Sequence, residues 1–242
     1  MRSALNTFDS RTQSNMRAYL LLVFGIIWHL SSGQAAFTEI TNGQGLFDAN
    51  QARGLALADY DNDGDDDLLV ASSPIKLLRN EGNFQFSDQT TTSGLNAISA
   101  RSVIWFDANN DGALDLIVSS KTQTRLLLNN GVGFFVNSTS FSATDRQSIN
   151  VGDLNGDQWP DIYSANFQQA NNIYINQANG LFAAVNNDAS LSDYDMGAVL
   201  LDIDEDGDLD IYLTHDNDQP NDLLINDGQA NFVNASIEWQ LD

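Results

Sequence analysis

Short apolar runs alternate with acidic connections along this chain, and the alternation repeats. Gly54–Ala58, Val103–Phe106, Ile149–Gly152 and Ala198–Leu201 form one set of runs. Leu68–Ala71, Leu116–Ser119, Ile162–Ala165 and Ile211–Thr214 form the next. Each run is four or five residues long and rich in aliphatic or β-branched side chains, which predicts strands rather than helices. A third set follows at Lys76–Arg79, Arg125–Leu128, Asn172–Ile175 and Asp222–Ile225, each running into Asn and then Gly: Asn80/Gly82, Asn129/Gly131, Asn176/Gly180 and Asn226/Gly228. Asn and Gly tolerate positive φ and make tight turns. A fourth strand carries Phe84 and Phe86, Phe134 and Phe135, Phe182, and Phe232. Helix signals are nearly absent. Four strands per unit of 40 to 50 residues predict an all-β fold, a β-propeller of four-stranded antiparallel blades.

The units fall at about 53–98, 99–146, 147–193 and 194–242, preceded by a partial unit at 37–52. In that partial unit Phe37-Thr38-Glu39-Ile40-Thr41 and Gly45-Leu46 match Phe86–Thr90 and Gly94-Leu95, so an extra N-terminal strand is expected before four full blades. Four units and a strand are few for a closed ring. The expectation is an incomplete one, either a fragment of a longer protein or an open arc whose blade edges invite self-association.

The connection between the first and second strand of each unit has one composition. It reads Asp-x-(Asp/Asn)-x-Asp-x-x-x-Asp, four times, 46 to 49 residues apart. The members are Asp59-Asp61-Asp63-Asp67, Asp107-Asn109-Asp111-Asp115, Asp153-Asn155-Asp157-Asp161 and Asp202-Asp204-Asp206-Asp210. Side-chain oxygens curled round one point repel unless a cation sits among them. A hard, oxygen-seeking ion such as Ca²⁺ fits that need. Positions 1, 3, 5 and 9 would supply side-chain oxygens. Position 7 would supply a backbone carbonyl, from Asp65, Ala113, Trp159 and Asp208. Up to four Ca²⁺ ions are expected.

Gly64, Gly112 and Gly207 stand at position 6, where the chain reverses sharply, but loop three has Gln158 there and its glycine at position 4, Gly156. Forcing Gln158 to positive φ costs on the order of 1 kcal/mol. Loops two and three also have Asn at position 3. Loops one and four are therefore expected to bind most tightly and loop three least. An EF-hand would need Glu at position 12, where Val70, Val118, Ser164 and Leu213 stand. Plain acidic turns are the remaining alternative, weakened by four repeats in register.

Charge and leader refine the picture. Arg2, Arg11 and Arg17 precede the 13-residue apolar run Ala18–Leu30, and Gly33 and Ala35 follow. This predicts a signal peptide over 1–35 and an exported repeat region over 36–242, secreted, periplasmic or at the cell surface. A retained anchor is the competing reading. Without the leader, 10 Lys+Arg and 33 Asp+Glu become 7 and 32, so the net charge goes from −23 to −25. More than half of those carboxylates lie in the four loops. Such acidity speaks against nucleic acid and against an anionic membrane as partner. No cysteine is present, which excludes disulfides and thiolate metal sites.

These residues resemble the FG-GAP or VCBS repeat family, calcium-loop blades found in integrin α-subunit heads and many bacterial exported proteins. The order Phe-x-x-x-Thr, Gly-Leu, Gly-x-x-x-x-Asp-Tyr-Asp-x-Asp-Gly-x-x-Asp, then Leu-x-x-Asn-x-Gly, over Phe37 to Gly82, looks especially like the branch related to cartilage acidic protein. The resemblance implies a seven-bladed propeller, calcium as structural support, and adhesion or binding to a protein or glycan. It also implies that Trp159, inside loop three, packs between blades.

Catalysis is not expected. His215 is the only histidine beyond the leader and reads as a rim residue beside Asp216 and Asp218. Glu39, Glu81, Asp88, Asp145, Asp193, Asp195 and Glu238 lie outside the loops and read as solvated charges. A propeller-type carbohydrate-active enzyme, a lyase or hydrolase, is the alternative by analogy of fold.

Overall fold

A computed structural model describes residues 52–120, 123–142, 146–178, 180–185, 190 and 194–236. The leader, the extra N-terminal strand and Trp239 lie outside the described residues. Four antiparallel four-stranded sheets follow one another along the chain, each with its strands in sequence order. The first holds β1 (Gly54–Ala58), β2 (Asp67–Ala71), β3 (Lys76–Asn80) and β4 (Phe86–Asp88). The second holds β5 (Ser102–Phe106), β6 (Asp115–Ser119), β7 (Gln123–Asn129) and β8 (Phe135–Ser142). The third holds β9 (Arg146–Gly152), β10 (Asp161–Asn166), β11 (Asn172–Asn176) and β12 (Phe182–Val185). The fourth holds β13 (Asp195–Leu201), β14 (Asp210–His215), β15 (Asp222–Asn226) and β16 (Phe232–Asn234). These are the blades expected from the repeat.

The core lies between sheets, not within them. Side chains of a strand alternate faces, and here both faces are apolar. Leu116 and Val118 of β6 join Leu69 and Leu77 of the first sheet. The residue between them, Ile117, joins Ile162 and Tyr174 of the third. Tyr163 and Ile173 of the third sheet turn the other way, onto Ile211, Leu213 and Leu224 of the fourth. In β6 and β10, each set between two sheets, that is why the second strand reads as an unbroken apolar run: both sides are covered. Tyr60 stacks on Trp105 at 6.1 Å and 12° and tilts against Phe135, an aromatic wedge between the first two sheets.

Two residues expected in fourth strands fall short of them. Phe84 sits in the preceding turn at φ 61° and is 65% exposed. Its three counterparts, four residues after the third-strand Asn, are Gly133, Gly180 and Ala230, all at positive φ. Phe134 likewise precedes β8 and is exposed.

Candidate metal centre

Each acidic loop links the first two strands of its sheet: residues 59–67 join β1 to β2 in the first, and the other three follow suit. Within each loop the position-1 carboxylate is a hub for backbone N–H groups. Asp59 accepts from Asp63 N (3.0 Å) and Gly64 N (2.9 Å), and Asp107 accepts from Asp111 N and Gly112 N. Asp153 accepts from Asp157 N and Gln158 N, and Asp202 from Asp206 N and Gly207 N. The position-5 carboxylates, Asp63, Asp111, Asp157 and Asp206, accept from the position-7 amides of Asp65, Ala113, Trp159 and Asp208. The four loops therefore share one internal wiring.

The position-9 aspartates do something the spacing alone does not reveal. Asp67, Asp115, Asp161 and Asp210 are fully buried. One oxygen of each accepts from the position-2 amide: Tyr60, Ala108, Leu154 or Ile203. The other accepts from the Asn that ends the third strand: Asn80, Asn129, Asn176 or Asn226, at 2.8 to 2.9 Å. Burial pushes Asp67, Asp115 and Asp161 up to about 6 against the pull of those two amides.

The same asparagines reach further. Their Nδ2 groups donate to the position-8 carbonyls of Asp66, Leu114, Pro160 and Leu209. In three of them Nδ2 also donates to the position-2 carbonyl of the preceding sheet: Asn129 to Tyr60 O, Asn176 to Ala108 O, Asn226 to Leu154 O, at 2.8 to 3.0 Å. Sequence reading takes these asparagines as turn formers. They are also the bolts between blades. The signal was present as an Asn recurring 13 to 16 residues after the position-9 aspartate of each acidic loop.

Two loops gather three carboxylates closely. Single oxygens of Asp59, Asp61 and Asp67, and of Asp202, Asp204 and Asp210, lie within 4.8 Å of one another. These are the loops with Asp, not Asn, at position 3. Loops two and three offer the amide oxygens of Asn109 and Asn155 there, and both side chains donate Nδ2 to the position-5 carboxylate, Asp111 or Asp157. The donor set fits a hard cation. Asp61 Oδ1 is buried with no hydrogen-bond partner, and burial raises the Asp61 carboxyl above its ordinary range. Asp204, too, is raised, by desolvation and by its neighbours Asp206 and Asp210.

Loop one has a feature the sequence reading missed. Arg79, from β3, places Nε 2.9 Å from Asp61 Oδ2 and Nη2 2.7 Å from Asp63 Oδ2. Its guanidinium holds Asp63 below the usual carboxylate range. Leu128, Ile175 and Ile225 stand at the same place before the other three asparagines, so among the described residues loop one differs in having a cation at this position.

The expected strain at Gln158 needs correction. Gln158 does have positive φ, 69°, while Gly64, Gly112 and Gly207 have φ 97°, 84° and 100°. Position 4 is also left-handed in every loop, however: Asn62 (59°), Asn110 (54°), Gly156 (75°) and Glu205 (63°). Each loop thus carries one non-glycine residue in this region. Loop three merely exchanges which position has the glycine. Asn tolerates the region best, so loops three and four, with Gln158 and Glu205, carry the greater cost.

His215 is not a rim residue. Its side chain is 1% exposed, with Nε2 2.6 Å from Asp195 and 3.6 Å from Asp222. Its Nδ1 faces Pro220 O. Asp222 also accepts from Ser190 Oγ and Ser236 Oγ. Asp195 is therefore a buried partner, not a solvated charge, and Asp88 pairs with Lys76 at 2.7 Å.

The FG-GAP-like repeat pattern matches residues 59–118, 107–164 and 153–213, together more than half of the chain. The chain belongs to the FG-GAP-like repeat family. No curated protein matches it significantly. Among solved structures, this FG-GAP chain is similar to an Agrocybe aegerita lectin described for specific recognition of non-reducing terminal N-acetylglucosamine. The TM-score is 0.51 and the identity 18%, over 75% of this chain and 51% of that one. It is also similar to BBS1N, described in complex with ARL6DN, with TM-score 0.52 and 11% identity, over 75% of this chain and 55% of that one. At such identities the likeness concerns the fold, a β-propeller. The FG-GAP chain spans about half the length of these structures. Repeats and structural neighbours thus agree on a repeat-built β-propeller.

Proposed function

We propose that this chain is an exported, non-enzymatic module that binds a protein or glycan, and that Ca²⁺ in the acidic loops rigidifies the blades that do so. The observation that supports this best is the common wiring of the four loops. Each loop's position-9 carboxylate is tied to its third strand, so an ion held by that loop would stiffen the joint between blades. The ion would be held by Asp59, Asp61, Asp63 and Asp67 in loop one and by the matching residues in the other three, with the carbonyls of Asp65, Ala113, Trp159 and Asp208 completing each set. It supplies charge neutralisation. The lectin that this propeller resembles is described as recognising a sugar, which favours a glycan among possible ligands.

The burial of the His215 side chain, 1% exposed, favours a structural role for that residue over a catalytic one. Thermal melting with Ca²⁺, and after EDTA, tests the proposal. An ion at one hundred times its dissociation constant adds about 2.7 kcal/mol per site. Identical melting with and without chelator overturns it.

A further inference from the structure

At the end of the sheets opposite the acidic loops, a cleft of about 470 Å³ opens between the first and second sheets. Its wall is chemically unlike the rest of the chain. Arg53, Arg101 and Arg125 line it, three of the seven lysines and arginines beyond residue 36. No acidic residue lines it among those described, although acidic residues outnumber basic ones more than fourfold in that part of the chain. Ser73, Ser99 and Ser120 add hydroxyls, and Ser73 and Ser99 lie 2.8 Å apart across the cleft wall.

We propose that this cleft is an anion-recognition site that takes a carboxylate- or sulfate-bearing sugar unit. Guanidinium groups match both anions with paired N–H donors. Hydroxyls that both donate and accept suit a polyol. The volume lies within the range of small-ligand pockets and suits one or two sugar rings.

The frame is already fixed. Ala100 N donates to Ser72 O (3.0 Å), Ile75 N to Ile98 O (2.8 Å), Arg101 N to Ser119 O (2.6 Å) and Ser120 N to Gln123 O (2.8 Å). Such pre-organisation lowers the ordering cost of binding. It also disfavours an extended peptide, because the wall's backbone groups are spent on each other and offer no ladder to join. The overall negative charge does not forbid an anion here. A five-residue strand spans about 17 Å, roughly twice the Debye length at physiological salt, so the acidic loops act on this end only weakly.

The inference rests on the reading of the chain as a binding module and names the ligand class and its place. The test is calorimetric titration of the calcium-loaded full chain with a chondroitin sulfate disaccharide and with its desulfated, carboxyl-reduced counterpart. The charged form is expected to bind at least about tenfold more tightly, the worth of one charge-assisted hydrogen bond. Arg101→Gln and Arg125→Gln should each weaken it by about tenfold or more, while Lys76→Gln, the same charge change outside the cleft, leaves it unaltered. Raising salt on the unmutated chain should weaken only the charged form.

Equal binding of the two disaccharides overturns the inference while sparing the module reading. So does equally tight binding of inorganic sulfate, tighter binding of a poly-aspartate peptide, or no binding of either sugar. Insensitivity of melting to EDTA would instead strike the calcium reading and leave the cleft untouched.

Discussion

Asn129 of the second sheet donates Nδ2–H to the carbonyl of Tyr60 in the first, at 3.0 Å, and to Leu114 O in its own loop at 3.1 Å. One amide thus holds two blades and an acidic loop together. Asn176→Ala or Asn226→Ala should cost about 1–3 kcal/mol, the price of leaving buried carbonyls unmatched. The change is read as a lower urea midpoint. It should appear with EDTA present, which separates bolting from metal binding.

The position-9 aspartates invite a second separation. Asp115 and Asp161 each satisfy two buried amides, whereas Asp204 is exposed and bonded only to its loop neighbour Asp206 among the described residues. Asp161→Ala should destabilise the metal-free chain by roughly 2–5 kcal/mol. Asp204→Ala should leave metal-free melting nearly unchanged and reduce the rise in melting temperature produced by Ca²⁺. Equal metal-free losses from both would contradict this division of labour.

Arg79 makes loop one a special case. A singly charged group about 6 Å from a divalent ion repels it by roughly 1.4 kcal/mol in a water-like dielectric. Arg79→Leu is therefore expected to raise Ca²⁺ affinity at loop one about tenfold, and to lower metal-free stability by leaving Asp61 and Asp63 face to face. Calcium titration and chelated melting on the same variant read the two effects. Loops one and four, rich in carboxylates, are expected to bind more tightly than loops two and three, with loop four the tightest until Arg79 is removed.

Acid should act in opposite directions on the two forms. Asp67, Asp115 and Asp161 are raised from 3.8 to about 6 by burial, so the folded chain binds their protons more firmly than the unfolded one. In EDTA, their contribution to stability is complete below about 3.8 and is lost as pH rises through about 6. Asp63, held low by Arg79, pulls the other way only in more acidic solution. With Ca²⁺ the order reverses, because the ion needs ionised carboxylates. Urea midpoints across this window, with and without Ca²⁺, should cross or converge at the acid end.

Backbone strain gives a further check. Gln158→Gly and Glu205→Gly should each stabilise by about 1 kcal/mol by relieving a left-handed non-glycine residue. Asn62→Gly and Asn110→Gly should gain less, since Asn already tolerates that region.

Much of the blade was legible in the residues. The sixteen described strands overlap the expected runs, although β9 and β13 each begin three residues earlier, because each unit repeats the same pattern and the errors of a single window average out. Phe84 was misplaced because its aromatic character outweighed a turn position that glycine or alanine fills in the other units. His215 and Asp195 looked solvated because they are polar and near strand ends. Their burial depends on residues 20 positions apart meeting across β13 and β14, which local pattern does not report. The Arg79 contact and the asparagine bolts are also long-range. The second of these was visible as a recurrence, but its meaning needed the neighbouring blade.

Because every interior strand shares its two faces between neighbours, no sheet here owns a hydrophobic interior of its own. Disorder introduced in one blade should therefore strip cover from the next. Loss of structure is expected to travel along the row like a seam opening, with the asparagine amides as its stitches.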